Sequence, residues 1–281
     1  MPAQHRDFFT LLPYIFVGAV DREGWPLATI LTGKPGFVHT PDAVTLRIDA
    51  LPSPHDPAAG ALIEGREIGL LGIDLSTRRR NRANGRIATR DAGGLTIGVT
   101  QSFGNCPQYI QLREVAATAA ATTPAEQLTG LDDEARAMIV RADTTFVATR
   151  SRQDIDMAGG ADISHRGGKP GFIRVEGNRL TIPDFRGNRY FNTLGNLIGE
   201  PRASLLFVDF SSGDILQLQG LAEVDWSDAA DRFEGAERLW HFTVTRGWRR
   251  RNALNLRWSF LGYSPMTERT GQWEDATASR N

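Results

Sequence analysis

Gly33-Lys34-Pro35-Gly36-Phe37 returns as Gly168-Lys169-Pro170-Gly171-Phe172, 135 residues further along the chain. The same spacing carries Leu70-Leu71-Gly72-Ile73-Asp74-Leu75-Ser76 onto Leu205-Leu206-Phe207-Val208-Asp209-Phe210-Ser211, and Gly85 onto Gly220. A register kept at so long a period marks a duplicated domain, because solenoid repeats run at roughly 20 to 50 residues. Upstream, Phe16-Val17 matches Phe146-Val147 at a spacing of 130, so the second copy holds five more residues in its first hairpin. Insertions of that kind belong in loops.

The length of 281 residues suits two ordinary domains. The expected division is a first domain over 1–115, a linker over 116–131 and a second domain over 132–281. The linker begins with small uncharged residues, Ala116 to Pro124, and leads into Leu131 to Ile139, a short helix that Asp132 or Asp133 can cap. Each copy then runs through short strands rich in β-branched and aromatic residues, such as Thr145 to Thr149, Phe172 to Val175 and Leu205 to Phe210, punctuated by Gly, Asn and Asp. Many short strands with one or two helices per copy predict a mainly β fold with a few helices, a small closed or partly closed antiparallel barrel in each copy.

Bulk composition narrows the functional classes. Apolar runs fall far short of the roughly 20 residues that span a bilayer, and the N-terminus lacks a basic segment followed by an apolar one, so a cytoplasmic protein without membrane contact is expected. Cys106 is the single cysteine, which excludes an intramolecular disulfide and any Cys-cluster metal site. A formal net charge of −1 provides no global attraction to nucleic acid.

In the second copy, His165-Arg166-Gly167-Gly168-Lys169 places cations around a glycine pair just before a strand, and Asn188-Arg189-Tyr190-Phe191-Asn192-Thr193-Leu194-Gly195-Asn196 reads as a turn opening into a helix with Asn188 as cap. Helix N-termini favour phosphate. Arg189, Asn192, Thr193 and Asn196 are spaced as neighbours on one helical face, a donor set suited to a phosphomonoester. The first copy keeps Gly-Lys-Pro-Gly-Phe but has Leu31-Thr32 where the second has Arg166-Gly167, and Leu51 to Ala58 lack the polar face. One phosphate site per chain is therefore expected. His165, with an ordinary pKa placed for proton transfer, is the candidate catalytic residue.

The first copy has its own distinctive stretches. Arg78, Arg80 and Arg82 would share one face of a strand, facing an anion, a carboxylate partner or solvent. Gln101 to Gln111 gathers amides, a thiol and aromatics, among them Asn105, Cys106, Gln108, Tyr109 and Gln111, which can stack on and hydrogen-bond to a flat heterocycle. Arg246-Gly247-Trp248-Arg249-Arg250-Arg251 reads as a site for an acidic partner or nucleotide phosphate, or as a solvated helix end.

The stretches Ala161 to Phe172, Gly187 to Asn196 and Gly104 to Gln111 together resemble the pyridoxamine 5′-phosphate oxidase-related flavin-nucleotide-binding proteins, over about residues 5 to 265. The resemblance implies two tandem split β-barrels forming an intramolecular pseudo-dimer, with FMN between them. It implies that Arg166, Gly167, Gly168, Lys169, Asn188, Arg189, Asn192, Thr193 and Asn196 hold the phosphate and ribityl end, and that Asn105, Gln108, Tyr109 and Gln111 border the ring. An FMN-dependent oxidoreductase acting on a small molecule follows, working as a monomer or a homodimer. Leu256 to Pro265 is similar to the segment that precedes a ferredoxin-reductase-type domain in longer relatives, so NADH, NADPH, a separate reductase or a ferredoxin-type donor would supply electrons. The motif for pyridoxamine 5′-phosphate as substrate is missing. A haem-binding or haem-degrading split barrel and a non-enzymatic flavin carrier or sensor are the alternatives.

Overall fold

The computed structural model describes residues 1–104, 106–119, 123–151, 160–187, 192–229 and 231–273. Asn105, Asn188 and Arg189 lie outside the described residues.

The two Gly-Lys-Pro-Gly-Phe segments fold alike. The Phe37 N–H donates to Lys34 O and the Phe172 N–H to Lys169 O, both at 2.9 Å, and φ is +94° at Gly36 and +86° at Gly171. This is a type II turn, with Pro pre-set at its second position and Gly supplying the positive φ at its third. A side chain on Gly33 would collide with the Phe37 ring, and one on Gly168 with the Phe172 ring. The motif is thus a corner that each copy needs in order to fold.

In the first copy, β1 (Tyr14–Val20), β2 (Pro26–Thr32), β3 (Val38–His39), β4 (Thr45–Ile48), β5 (Glu67–Asp74), β6 (Arg79–Asp91) and β7 (Gly94–Gly104) form one sheet in the order β2-β1-β5-β6-β7-β4-β3. Before it comes α1 (Ala3–Thr10). In the second, α2 (Asp133–Arg141) precedes β10 (Thr144–Arg150), β11 (Ala161–Gly167), β12 (Arg174–Glu176), β13 (Arg179–Phe185), β14 (Arg202–Val208), β15 (Ile215–Asp225) and β16 (Ala236–Arg250). Their order, β11-β10-β14-β15-β16-β13-β12, repeats that of the first copy strand for strand. The five residues 21–25 between β1 and β2 face the ten residues 151–160 between β10 and β11, which places the expected insertion in that hairpin. The ladder slips at Asn84/Gly85 and again at Gln219/Gly220. A side chain on either glycine would collide with the backbone of the neighbouring strand, which explains why the repeat holds Gly there.

Asp132 caps α2 by accepting from the Ala135 N–H at 2.8 Å. Residues 116–131 are not a bare connector. β8 (Leu112–Ala117) extends into them and pairs with β17 (Leu256–Gly262), its counterpart in the second copy, while β9 (Glu126–Leu128) adds to β16. α3 (Asn192–Gly199) stands between β13 and β14, where the first copy has only the short 3-10 turn Pro57–Gly60 between β4 and β5. The described residues contain no helix long and apolar enough to cross a membrane.

Each copy has its own buried cluster, and a third joins them. At its centre Phe16 and Phe146, equivalent residues of β1 and β10, stack with ring centroids 3.5 Å apart and planes inclined by 17°. Both are fully buried. Around them lie Ala28 and Ile163, and Leu71 and Leu206, again in equivalent pairs. The strands are as apolar on this outer face as on the inner one because both faces are covered, which is why β1 is buried at every residue.

Truncating a buried Phe costs about 3–5 kcal/mol. Phe16→Ala and Phe146→Ala should each lower the stability read by urea unfolding by that amount, and the double variant by less than the sum, because the two rings share one contact.

Candidate functional site

One pocket lies between the copies, lined by β11, β13, β16 and the start of α3 from the second and by β6 and the loop between β7 and β8 from the first. Arg80 and Arg82 face it together, as alternate residues of a strand must. Arg79 points elsewhere, its guanidinium 5.0 Å over the Phe8 ring. Arg78 departs from the expected shared face. It sits ahead of the strand at φ +57° and donates to the carbonyls of Ile110 and Tyr263. The solvated-edge reading fails for Arg80 and Arg82, since β6 is an inner strand paired with β5 and β7 and their side chains face the second copy.

Arg82 bridges the copies. Its Nη1 donates to both carboxylate oxygens of Asp162, at 3.2 and 3.0 Å, and its Nη2 to Ser164 Oγ at 2.7 Å; Ser164 Oγ lies 2.5 Å from Thr193 Oγ1. Arg166 pairs with Asp184 at 2.7 Å, and Arg238 reaches the other oxygen of the same carboxylate at 3.1 Å. Arg80 differs. No carboxylate among the described residues pairs with it, and its Nε is shut off from solvent without a partner. Burial, followed by repulsion from Arg82 and Arg166, pushes its pKa down to about 9. It stays charged at neutral pH, a half-buried cation with no carboxylate partner among the described residues.

Arg80 Nη1 lies 3.4 Å from His165 Nδ1. A guanidinium has donors only, so Nδ1 accepts and the imidazole proton sits on Nε2. That Nε2 is buried and has no partner among the described residues. Burial, and then the guanidinia of Arg80, Arg113, Arg166 and Arg82, hold the His165 pKa well below its ordinary value of 6.5. Near neutral pH His165 is a neutral N–H donor, and the ordinary pKa assumed from sequence does not survive burial among cations.

Tyr109 brings the first copy's loop onto the second. Its backbone has φ +61°, a conformation that costs a non-glycine residue about 1–3 kcal/mol. Three contacts hold it there: its N–H donates to Ser264 Oγ at 3.1 Å, its hydroxyl to Arg186 O at 3.2 Å, and its ring stacks on Phe185 at 5.1 Å. A side chain at Gly167 would collide with the Tyr109 carbonyl. Gly167 therefore replaces the Thr32 of the first copy so that this loop can dock.

The pocket also brings together Gln108, Asn192 and Thr193 with Arg166, Gly167 and His165. Lys169 lies in the type II turn, outside it, and Gly168 packs on Phe172. Asn196 turns away to donate to Thr149 Oγ1 at 2.9 Å. Gln111 is fully buried, donating to Gly168 O and Thr267 Oγ1 while accepting from the Ser264 N–H, so it ties the copies together. Cys106 is half-buried as a free thiol. Sequence reasoning missed Ser164, Asp184, Phe185 and Glu237 as lining residues, and left open what Arg80 and Arg82 face. The alternation along β6 was the one available signal for the last two.

The arginines of the run Arg246 to Arg251 pair with carboxylates of the chain itself. The run lies on β16 and just beyond, not on a helix. Arg246 pairs with Asp21 and Glu23, Arg249 with Glu126, Asp132 and Glu134, Arg250 with Asp56, and Arg251 with Glu126 and Glu134.

Fold and site define a tandem split-barrel protein with a basic pocket between its copies. No protein-family model matches the chain, and no curated protein does. Solved structures similar to it include a protein of the pyridoxinephosphate oxidase family related to general stress protein 26, from Clostridium acetobutylicum (15% identity, 46% of this chain and 92% of that one, TM-score 0.31). A second is the FAD-binding protein of Mycobacterium smegmatis (13% identity, 45% and 100%, TM-score 0.32). A third is HutZ, a heme storage protein of Vibrio cholerae (12% identity, 48% and 95%, TM-score 0.29).

The unfolded chain protonates His165 at its ordinary pKa while the folded chain resists, so acid favours unfolding. Stability should fall as pH drops below about 6.5, with His165 contributing up to about 1.4 kcal/mol per pH unit. His165→Gln should flatten that slope in urea unfolding between pH 7.5 and 5.5, and an unchanged slope would contradict the buried neutral imidazole.

Proposed function

We propose that the inter-barrel pocket binds the phosphate end of FMN and that the protein is an FMN-dependent oxidoreductase of the pyridoxamine 5′-phosphate oxidase-like type, acting on a small molecule. The observation that carries this reading is the Arg80 guanidinium, whose buried Nε has no partner and which no carboxylate among the described residues pairs, next to a buried His165 Nε2 donor without an acceptor among them. Leaving a buried charge unpaired costs several kcal/mol, and a ligand phosphate would offset that cost with charge-assisted hydrogen bonds. The donor set fits such a group: Arg80 supplies charge, His165 a neutral N–H, and Asn192 and Gln108 amides. The enclosed space, about 110 Å³, is smaller than the 300–1,000 Å³ typical of whole-ligand pockets. It suits the charged end, with the flat ring across the mouth beside Tyr109 and Phe185.

Bound FMN would supply hydride or one-electron chemistry. The chain's own part is binding, orientation and a positive field at the phosphate end. NADH, NADPH or a separate reductase or ferredoxin-type protein would deliver electrons, and the cytoplasm supplies all of them. Neutral His165 acts in this reading as a binding group. A porphyrin fits the pocket less well, because its lining includes five charged side chains and two amides where haem needs a broad apolar slot.

Comparison of FMN with riboflavin tests the phosphate contact. Losing a hydrogen bond to a charged group costs about 1.5–3 kcal/mol, or roughly 10- to 100-fold in Kd. Arg80→Met should weaken FMN by that factor and leave riboflavin unchanged; equal loss for both would contradict the assignment. Without ligand the same variant should raise the thermal midpoint, since it removes an unpaired buried charge. Anaerobic bleaching of the 450 nm flavin band by NADH or NADPH distinguishes an oxidoreductase from a carrier, and a Soret band in the purified protein would support the haem alternative instead.

A further inference from the structure

The pseudo-two-fold relation between the copies places a second location equivalent to the pocket, between the first copy's β2 and the second copy's β15. Strand register fixes the equivalences. Thr29 faces Val17 as Ser164 faces Val147, and Gln217 faces Leu206 as Arg82 faces Leu71. Ile215 takes the place of Arg80, with Arg250 beside it on β16. The 3-10 turn Pro57–Gly60, preceded by Asp56, takes the place of α3.

This second location already contains an anion. The Asp56 carboxylate accepts from Thr29 Oγ1 at 2.5 Å, from Gln217 Nε2 at 3.1 Å and from the Ala58 N–H at 2.9 Å, and it pairs with Arg250 Nη2 at 2.6 Å. Asp56 is 4% exposed and Arg250 4%. Arg250 Nε and Gln217 Oε1 remain buried without partners, so the groups around the carboxylate are not fully used. In the open pocket, by contrast, Ser164 Oγ meets Arg82 Nη2 and Thr193 Oγ1, Arg82 pairs with Asp162, and no carboxylate among the described residues pairs with Arg80.

We infer that the chain carries a second anion-binding site in closed form between its copies, with the Asp56 carboxylate serving as its permanent ligand and Arg250, Gln217 and Thr29 as the binding groups. The site is selective for a small planar carboxylate, and with the Asp56 carboxylate removed it takes one from solution. The inference rests on the proposed function only in treating the open pocket as the counterpart. It also gives a structural cause for asymmetry between the copies: at one location Asp56 matches the Arg250 guanidinium within the chain, and at the other Arg80 has no carboxylate partner among the described residues.

Chemical rescue tests it, since alanine plus formate replaces the atoms that Asp56→Ala removes. Asp56→Ala should lower the urea midpoint, and sodium formate should restore at least half of the loss where sodium chloride at equal ionic strength does not. Asp56→Ala/Arg250→Met should show no formate-specific gain, because the cation that binds it is gone. If Asp56→Ala fails to fold in buffer, the refolding yield with formate against chloride reads the same quantity. Rescue no better with formate than with chloride, or equal rescue in the double variant, would overturn the inference. Formate bound in the open pocket contributes equally to both variants and cancels. The FMN-to-riboflavin ratio of the wild-type chain tests the cofactor reading separately, so failure of one leaves the other standing.

Discussion

The stacked pair Phe16 and Phe146 is the contact around which the molecule is organised. These are the same residue of the two copies, meeting near the pseudo-axis, and the equivalent residues Ala28 and Ile163, Leu71 and Leu206 belong to the same buried cluster. Burying the outer faces of two sheets removes a large apolar area from water, and that gain orients the copies. Once oriented, β6 of one copy must lie against β11 of the other. Arg82 then reaches Asp162 and Arg80 reaches His165, so the pocket is a consequence of the packing.

Charge separates the two equivalent locations that this packing creates. In one, Arg82, Arg166 and Arg238 have carboxylates while Arg80 does not. In the other, the single guanidinium of Arg250 is matched by Asp56 within the chain. Buried ion pairs rarely add net stability, but removing one partner leaves a strongly destabilising charge.

What the sequence revealed was local or repeated. The duplication, the extra hairpin residues, the Asp132 cap and the strand-rich fold were all legible, because turns, caps and period-two patterns are written in neighbouring residues. The site was legible only in half. Arg166, Gly167, His165 and Thr193 were found on the second copy, yet their cross-copy partners Arg80 and Arg82 lie over eighty residues away and declare themselves only when the copies pack. The same distance hid the acids that neutralise Arg246 to Arg251, which made an internal ion-pair network read as an outward-facing basic patch. Gly167 looked like a phosphate-loop glycine; it is also the space into which the Tyr109 carbonyl fits.

Central to the account is a single external anion site per chain, at the pocket between the barrels. Native mass spectrometry of the protein with excess FMN counts it directly. The account predicts one FMN per chain whether the chain is monomeric or dimeric. Two per chain would contradict the closed second location, and none would contradict the cofactor assignment.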